Sequence, residues 1–172
     1  MVKAATALMV AAVLMASPAQ AQWTYMKGDD NPFQGGQVHI ALGLGSGFSL
    51  GFRCTNANDL TLIYVTPERV DPKLLSAIKL VPVELRIIVD DEKVRNIGAE
   101  LGTTPDGENY RLEATDSGVD VLSERIASAK RRIAVAAYGI GKLIWTSTIP
   151  AQGSRRALTT LTEKCGIKPA TN

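Results

Sequence analysis

Between Val38 and Cys54 the chain alternates apolar with other residues at a period of two, interrupted once by Gly45-Ser46-Gly47. That period belongs to strands with one covered face, because successive side chains leave a pleated strand on opposite sides. Val38, Ile40, Leu42 and Leu44 form one row, and Phe48, Leu50, Phe52 and Cys54 a second. Two antiparallel strands joined by a short glycine-rich turn are therefore expected, each with its apolar row turned to the core. Leu60 to Val65, entered through Asn56-Ala57-Asn58-Asp59, adds a third strand and makes the unit a meander.

The rest of the chain extends this pattern. Trp23 to Gln37 is polar and turn-rich (Lys27-Gly28-Asp29-Asp30-Asn31-Pro32, then Gly35-Gly36) and reads as an extended lead. Asp71-Pro72 predicts a short helix over Pro72–Lys79, stopped by Pro82. Val83–Val89 and Lys93–Glu100 form a hairpin around Asp90-Asp91-Glu92, and Asn109–Ala114 is another strand after the Pro105-Asp106-Gly107 turn. Asp116 or Ser117 caps a helix to about Ala129, whose Val119, Leu122, Ile126 and Ala129 share one face. Ile133–Tyr138 and Leu143–Thr148 make a second hairpin across Gly139-Ile140-Gly141-Lys142. A last helix runs from about Ser154 to Lys164, with Leu158 and Leu161 inward and Gly166 closing it. Strands do not alternate regularly with helices, which disfavours a doubly wound parallel sheet. The expected fold is α+β: mainly an antiparallel β sandwich or partly open barrel, with a mid-chain and a C-terminal helix.

The first twenty-one residues carry an address. Lys3 is followed by the uninterrupted apolar run Ala4–Met15, and Ser17-Pro18-Ala19-Gln20-Ala21 ends in the small-x-small pattern cut by signal peptidase. The run is too short to span a membrane, which takes roughly 20 residues. Residues 1–21 are thus expected to be a cleaved signal peptide, and residues 22–172 one exported periplasmic domain without stable membrane insertion. Without Lys3, 18 basic side chains face 17 acidic ones. That balance offers no overall electrostatic attraction to nucleic acid or to an anionic membrane. Lys130-Arg131-Arg132 and Arg155-Arg156 are the two short basic clusters. They read as solvated element ends, with anion binding as the other reading.

Cys54 and Cys165 are the two cysteines, and export places them in an oxidising compartment, where a disulfide is expected. It would tie an early strand to the chain's end through a loop whose closure is worth about 4–5 kcal/mol. Redox-active pairs generally use closer Cys-x-x-Cys spacing. One histidine and two distant cysteines make no metal-ligand set, so no metal or cofactor is expected.

Other chemistry is sparse. Gly43-x-Gly45-x-Gly47 resembles part of a dinucleotide fingerprint, but a strand follows it where that fingerprint requires a helix, so it reads as a hairpin turn. His39 alternates with Val38 and Ile40, which points it to the wetter face. A triad built on it would need a Gly-x-Ser-x-Gly elbow that the sequence lacks. Asp29-Asp30 and Asp90-Asp91-Glu92 are adjacent in turns, not opposed across a cleft as glycosidase carboxylates are. No catalytic residue is expected. Trp145, Tyr138 and Trp23 are the candidate binding surface, because an exposed aromatic anchors partners while a buried one packs a core, and the sequence allows both.

A family resemblance runs through these elements. The N-terminal Trp and Asp-Asp lead to Phe52-Arg53-Cys54 and Leu60-Thr61-Leu62-Ile63-Tyr64-Val65. Val83-Glu84-Leu85-Arg86-Ile87-Ile88-Val89-Asp90-Asp91 follows, then Lys130-Arg131-Arg132-Ile133 and the closing helix to Cys165. This order resembles the TagO-like (type VI secretion-associated) group of small periplasmic proteins, and is similar to the invasion-associated locus B group. The resemblance implies a disulfide-linked, β-rich periplasmic domain of accessory role, with no catalytic residues to carry over. The chain departs from it in the longer, apolar segment 66–82 and in Gly166-Ile167 after the last cysteine. The expected function is that of a non-enzymatic envelope protein acting on a protein partner. Inhibition of a hydrolase such as a lysozyme or protease is the alternative, and a hydrolase using His39 ranks last.

Overall fold

The computed structural model describes residues 22–31, 36–55, 60–71, 73, 82–116 and 118–167. In chain order the strands are β1 (Trp23–Asn31), β2 (Gly36–Gly45), β3 (Phe48–Cys54), β4 (Leu60–Arg69), β5 (Val83–Val89), β6 (Arg95–Thr103) and β7 (Asn109–Ala114). Helix α1 (Gly118–Ser128), strands β8 (Arg132–Gly139) and β9 (Lys142–Pro150), and helix α2 (Ser154–Cys165) complete the order. All pairings are antiparallel, in the order β1-β2-β3-β4-β7-β6-β5-β8-β9. The sheet curls into an incompletely closed barrel, as the α+β expectation had it. The helix expected over Pro72–Lys79 lies outside the described residues.

Two contacts bring the ends of the sheet together. The Trp23 backbone N–H donates to Gln152 O (3.1 Å), and its indole Nε1–H donates to Pro150 O at 2.8 Å. Beside them Gly45 meets the β9 backbone so closely that a Cβ there would strike Thr148 O. Glycine is what lets two backbones approach this far. From that junction α2 runs over β1, β2 and β3, while α1 packs on β4 and on α2. The disulfide Cys54–Cys165 fastens the end of α2 to the end of β3, with Cα atoms 6.2 Å apart.

The core lies inside the curl. Leu50, Phe52, Leu62, Leu85, Ile87, Leu112, Ile133 and Ile149 are fully buried there. Val119, Leu122 and Ile126 of α1, with Ala157, Leu158 and Leu161 of α2, close it from the helical side. Gly166, at φ 64°, ends α2, and its N–H and that of Ile167 bond back to Glu163 O and Thr162 O. Those two bonds satisfy carbonyls that a helix end would otherwise leave open.

Two readings of the N-terminal third need correction. The lead is not merely extended: Trp23–Asn31 is a full strand paired with β2, with a bulge between Lys27 and Asp30. On β2 the faces are reversed. His39, Ala41 and Gly43 are the buried row, whereas Val38, Ile40 and Leu42 are half-buried outside and Leu44 is exposed. The reason is space: the Trp23 ring lies where a Gly43 side chain would begin, and α2 crosses the same row. Gly43 and Ala41 leave that room, and the flat His39 ring at the other end of the row stacks on Tyr25. Register keeps the partner strand in phase, since His39, Ala41 and Gly43 sit opposite Cys54, Phe52 and Leu50.

One polar pair crosses the interior. Tyr64 is fully buried, stacks on Phe48 at 5.6 Å, and donates its hydroxyl to Ser147 Oγ at 2.9 Å. Burial pushes the Tyr64 phenol up to about 12, opposed in part by the Ser147 bond. An acid whose folded pKa is raised contributes stability that is complete below its unfolded pKa, about 10, and is lost as pH climbs towards the folded value. The wild type should therefore lose about 2–3 kcal/mol from this group between pH 10 and pH 12. Tyr64→Phe should lack that component. Urea midpoints of both proteins at pH 9 and near pH 12 check this, and parallel losses would refute it.

Candidate interaction surface

The turn Asp90-Asp91-Glu92 is structural. Asp90 adopts φ 52° and its carboxylate accepts the backbone N–H groups of Lys130, Arg131 and Arg132 at 2.8–3.0 Å. These amides, that of Lys130 foremost, hold its carboxyl below the usual range. Asp91 pairs with Arg131 and, at 3.9 Å, with Arg132; Glu92 pairs with Arg125. Arg131 and Arg132 of the basic cluster are thereby paired with the β5–β6 turn, and the backbone of residues 130–132 joins the α1–β8 connection to it.

His39 is a satisfied inner residue and not a wet one. It is 8% exposed and its Nδ1 lies 2.7 Å from Tyr25 Oη. Among the described residues no group of three His, Cys, Asp or Glu side chains is arranged to hold a metal ion.

The candidate aromatics separate. Trp23 is 3% exposed and Trp145 is 8% exposed, so both belong to the core. Trp145 faces inward with Ser147 and Ile149 and stands 5.6 Å from the Tyr110 ring. The correction follows from parity: on β9 the inward row is 145, 147, 149, which leaves Thr146 and Thr148 outside. Tyr138 alone of the three stays at the surface. It is half-buried on the outer face, with the Arg86 guanidinium 4.0 Å from its ring centroid. Arg86 also pairs with Glu84 at 2.6 Å.

Around Tyr138 the outer face of β5, β8 and β9 holds a shallow depression of about 560 Å³. Ala134 and Ala136 form its floor, Tyr138 with Arg86 one wall, and Ile88 and Val94 another. Small floor residues leave the sheet surface open to close approach from outside. Beyond it lies the hairpin end, where Ile140 is 76% exposed, Leu143 54% and Ile144 41%. A one-residue irregularity between Ala137 and Tyr138 sets Leu143 opposite Tyr138. By sequence, Gly139–Lys142 is a hairpin connection. The available signal was an isoleucine between two glycines, where a tight hairpin turn ordinarily carries Asn or Gly.

Among the described residues no helix is long and apolar enough to cross a membrane. No family model matches the sequence, and neither a curated protein nor a solved structure matches it.

Proposed function

We propose that this is an exported, non-enzymatic accessory protein of the cell envelope that works by binding a protein partner on the outer face of β5, β8 and β9. Export is supported by the leader pattern of residues 1–21 and by the disulfide, which needs an oxidising compartment. The observation that carries the binding reading is the open depression beside Tyr138 and Arg86. Tyrosine and arginine are enriched among residues that dominate interface energies. The alanine floor admits a partner's side chains.

A photo-crosslinking residue placed at Thr146, which lines the depression, tests this in the host. The control position is Arg156, exposed on α2. The expected result is one stoichiometric protein adduct from position 146, absent from position 156 and weakened by Tyr138→Ala. A hydrolase in that adduct would specify inhibition as the role. No adduct, or the same adducts from both positions, would overturn the reading.

A further inference from the structure

The hairpin end beyond the depression has a different chemistry. Ile140 is the most exposed large apolar residue among those described, at 76%, and its φ is +51°. Each property is unfavourable in the isolated molecule. A β-branched side chain in the left-handed region crowds its own backbone, and an aliphatic group in water forgoes burial. Gly141 follows at φ 72°, so two consecutive residues have positive φ, the pattern of a type I′ turn, for which Asn-Gly is the low-cost sequence. An isoleucine held there against both preferences points to a use outside the folded chain.

Its surroundings indicate what that use is. Leu143 and Ile144, also exposed, lie within five residues of Ile140, and Lys142 falls between them in the chain. From Arg132 to Pro150 the hairpin contains no Asp or Glu. Tyr138, with Arg86 over its ring, stands just behind the tip. Aliphatic side chains at a convex tip, a lysine whose stem can lie along them, and a tyrosine one step back match the layers of a bilayer surface. Leucine is under-represented among protein hot spots, and a convex tip needs a matching pocket in a protein but none in a lipid surface.

We propose that the Ile140–Ile144 tip is a membrane-docking element that inserts Ile140 and Leu143 shallowly into a lipid bilayer surface. Lys142 then lies at the headgroup level and adds short-range attraction to anionic lipid. The balanced charge of the whole chain supplies no long-range pull, so apolar insertion is the main contribution. Attachment of this kind is reversible and spans nothing. It would hold the barrel with its outer face available to an envelope protein.

The test is flotation of the protein purified from its host with phosphatidylcholine–phosphatidylglycerol vesicles. The wild type should float with the vesicles, and Ile140→Asn should reduce the bound fraction at least about ten-fold. Asparagine enters the left-handed region more readily than isoleucine, so the same variant should unfold at a urea concentration no lower than the wild type. Loss of flotation therefore cannot be assigned to loss of fold. A wild type that stays in solution, or an Ile140→Asn protein that floats equally well, overturns the proposal. A tip that ignores vesicles yet crosslinks to a protein from position 140 also overturns it, in favour of a pocket in that protein. The vesicles contain no protein, so this result and the Thr146 crosslinking result can fail independently.

Discussion

Replacing both bridging cysteines, Cys54→Ala with Cys165→Ala, is expected to lower the unfolding free energy by about 4–5 kcal/mol. The bridge joins residues 111 apart, so its main effect is on the unfolded chain, whose ends it holds together. In the folded protein both cysteines are buried, at 2% and 4% exposure. Alanine at both positions also removes two apolar sulfur atoms from that core, which adds to the loss. Domains commonly have 5–15 kcal/mol in total, so the variant would stand near the limit of folding at physiological temperature. Urea titration of the double variant beside the oxidised wild type measures the difference. A loss below about 1 kcal/mol would show that loop closure contributes little here. The geometry also predicts where the damage concentrates. The α2 helix reaches β1, β2 and β3, and its C-terminal turn is the part that the bridge fastens. Hydrogen exchange should therefore accelerate in the last turn of α2 before it does in β5 and β8.

How much of this was legible depended on whether one row of side chains or two competed for the core. On β3, Leu50, Phe52 and Cys54 are apolar and their neighbours are not, and the structure buries that row. Helices α1 and α2 were legible for the same reason, each with a single apolar stripe. On β2 the large residues Val38, Ile40 and Leu42 competed with a row of His39, Ala41 and Gly43, and size was a misleading guide. What decides that face is a tryptophan sixteen or more residues earlier in the chain and a helix more than a hundred residues later, and no local period reports either. Trp145 was ambiguous because a strand residue's face follows from its neighbours' parity, and a bulge intervenes between Trp145 and the turn. Asp90 could be placed in a turn, but its three backbone partners at 130–132 lie past the end of α1, where the chain enters β8. Gly139-Ile140-Gly141-Lys142 reads from the sequence as a hairpin connection, and the positive φ and exposure of Ile140 come only from the folded chain.

Trp23→Ala is expected to open the barrel where β1 meets the end of β9. The indole is 3% exposed and fills the space above Gly43, and truncating a buried tryptophan costs about 3–5 kcal/mol. The change also withdraws the Nε1–H donor from Pro150 O, a bond of 2.8 Å, and the net worth of such a bond is about 1 kcal/mol. Trp23→Phe separates the two contributions, since it keeps most of the apolar filling and loses the donor. The phenylalanine variant should fall between wild type and alanine. Trp145 is then the single remaining tryptophan, so its fluorescence in urea follows the barrel interior without interference. β1 and β9 occupy the two ends of the strand order, and Trp23, paired with Gly43 in the β1–β2 ladder, ties β1 to the end of β9 through bonds that belong to no ladder. Hydrogen exchange should therefore speed up in β1 and at the end of β9 first, while β5 and β8, paired on both sides, stay protected. Equal midpoints for the alanine and phenylalanine variants would show that ring volume contributes nothing. Uniform exchange across the sheet would mean that the barrel unfolds as one unit and that the junction is not its first point of opening.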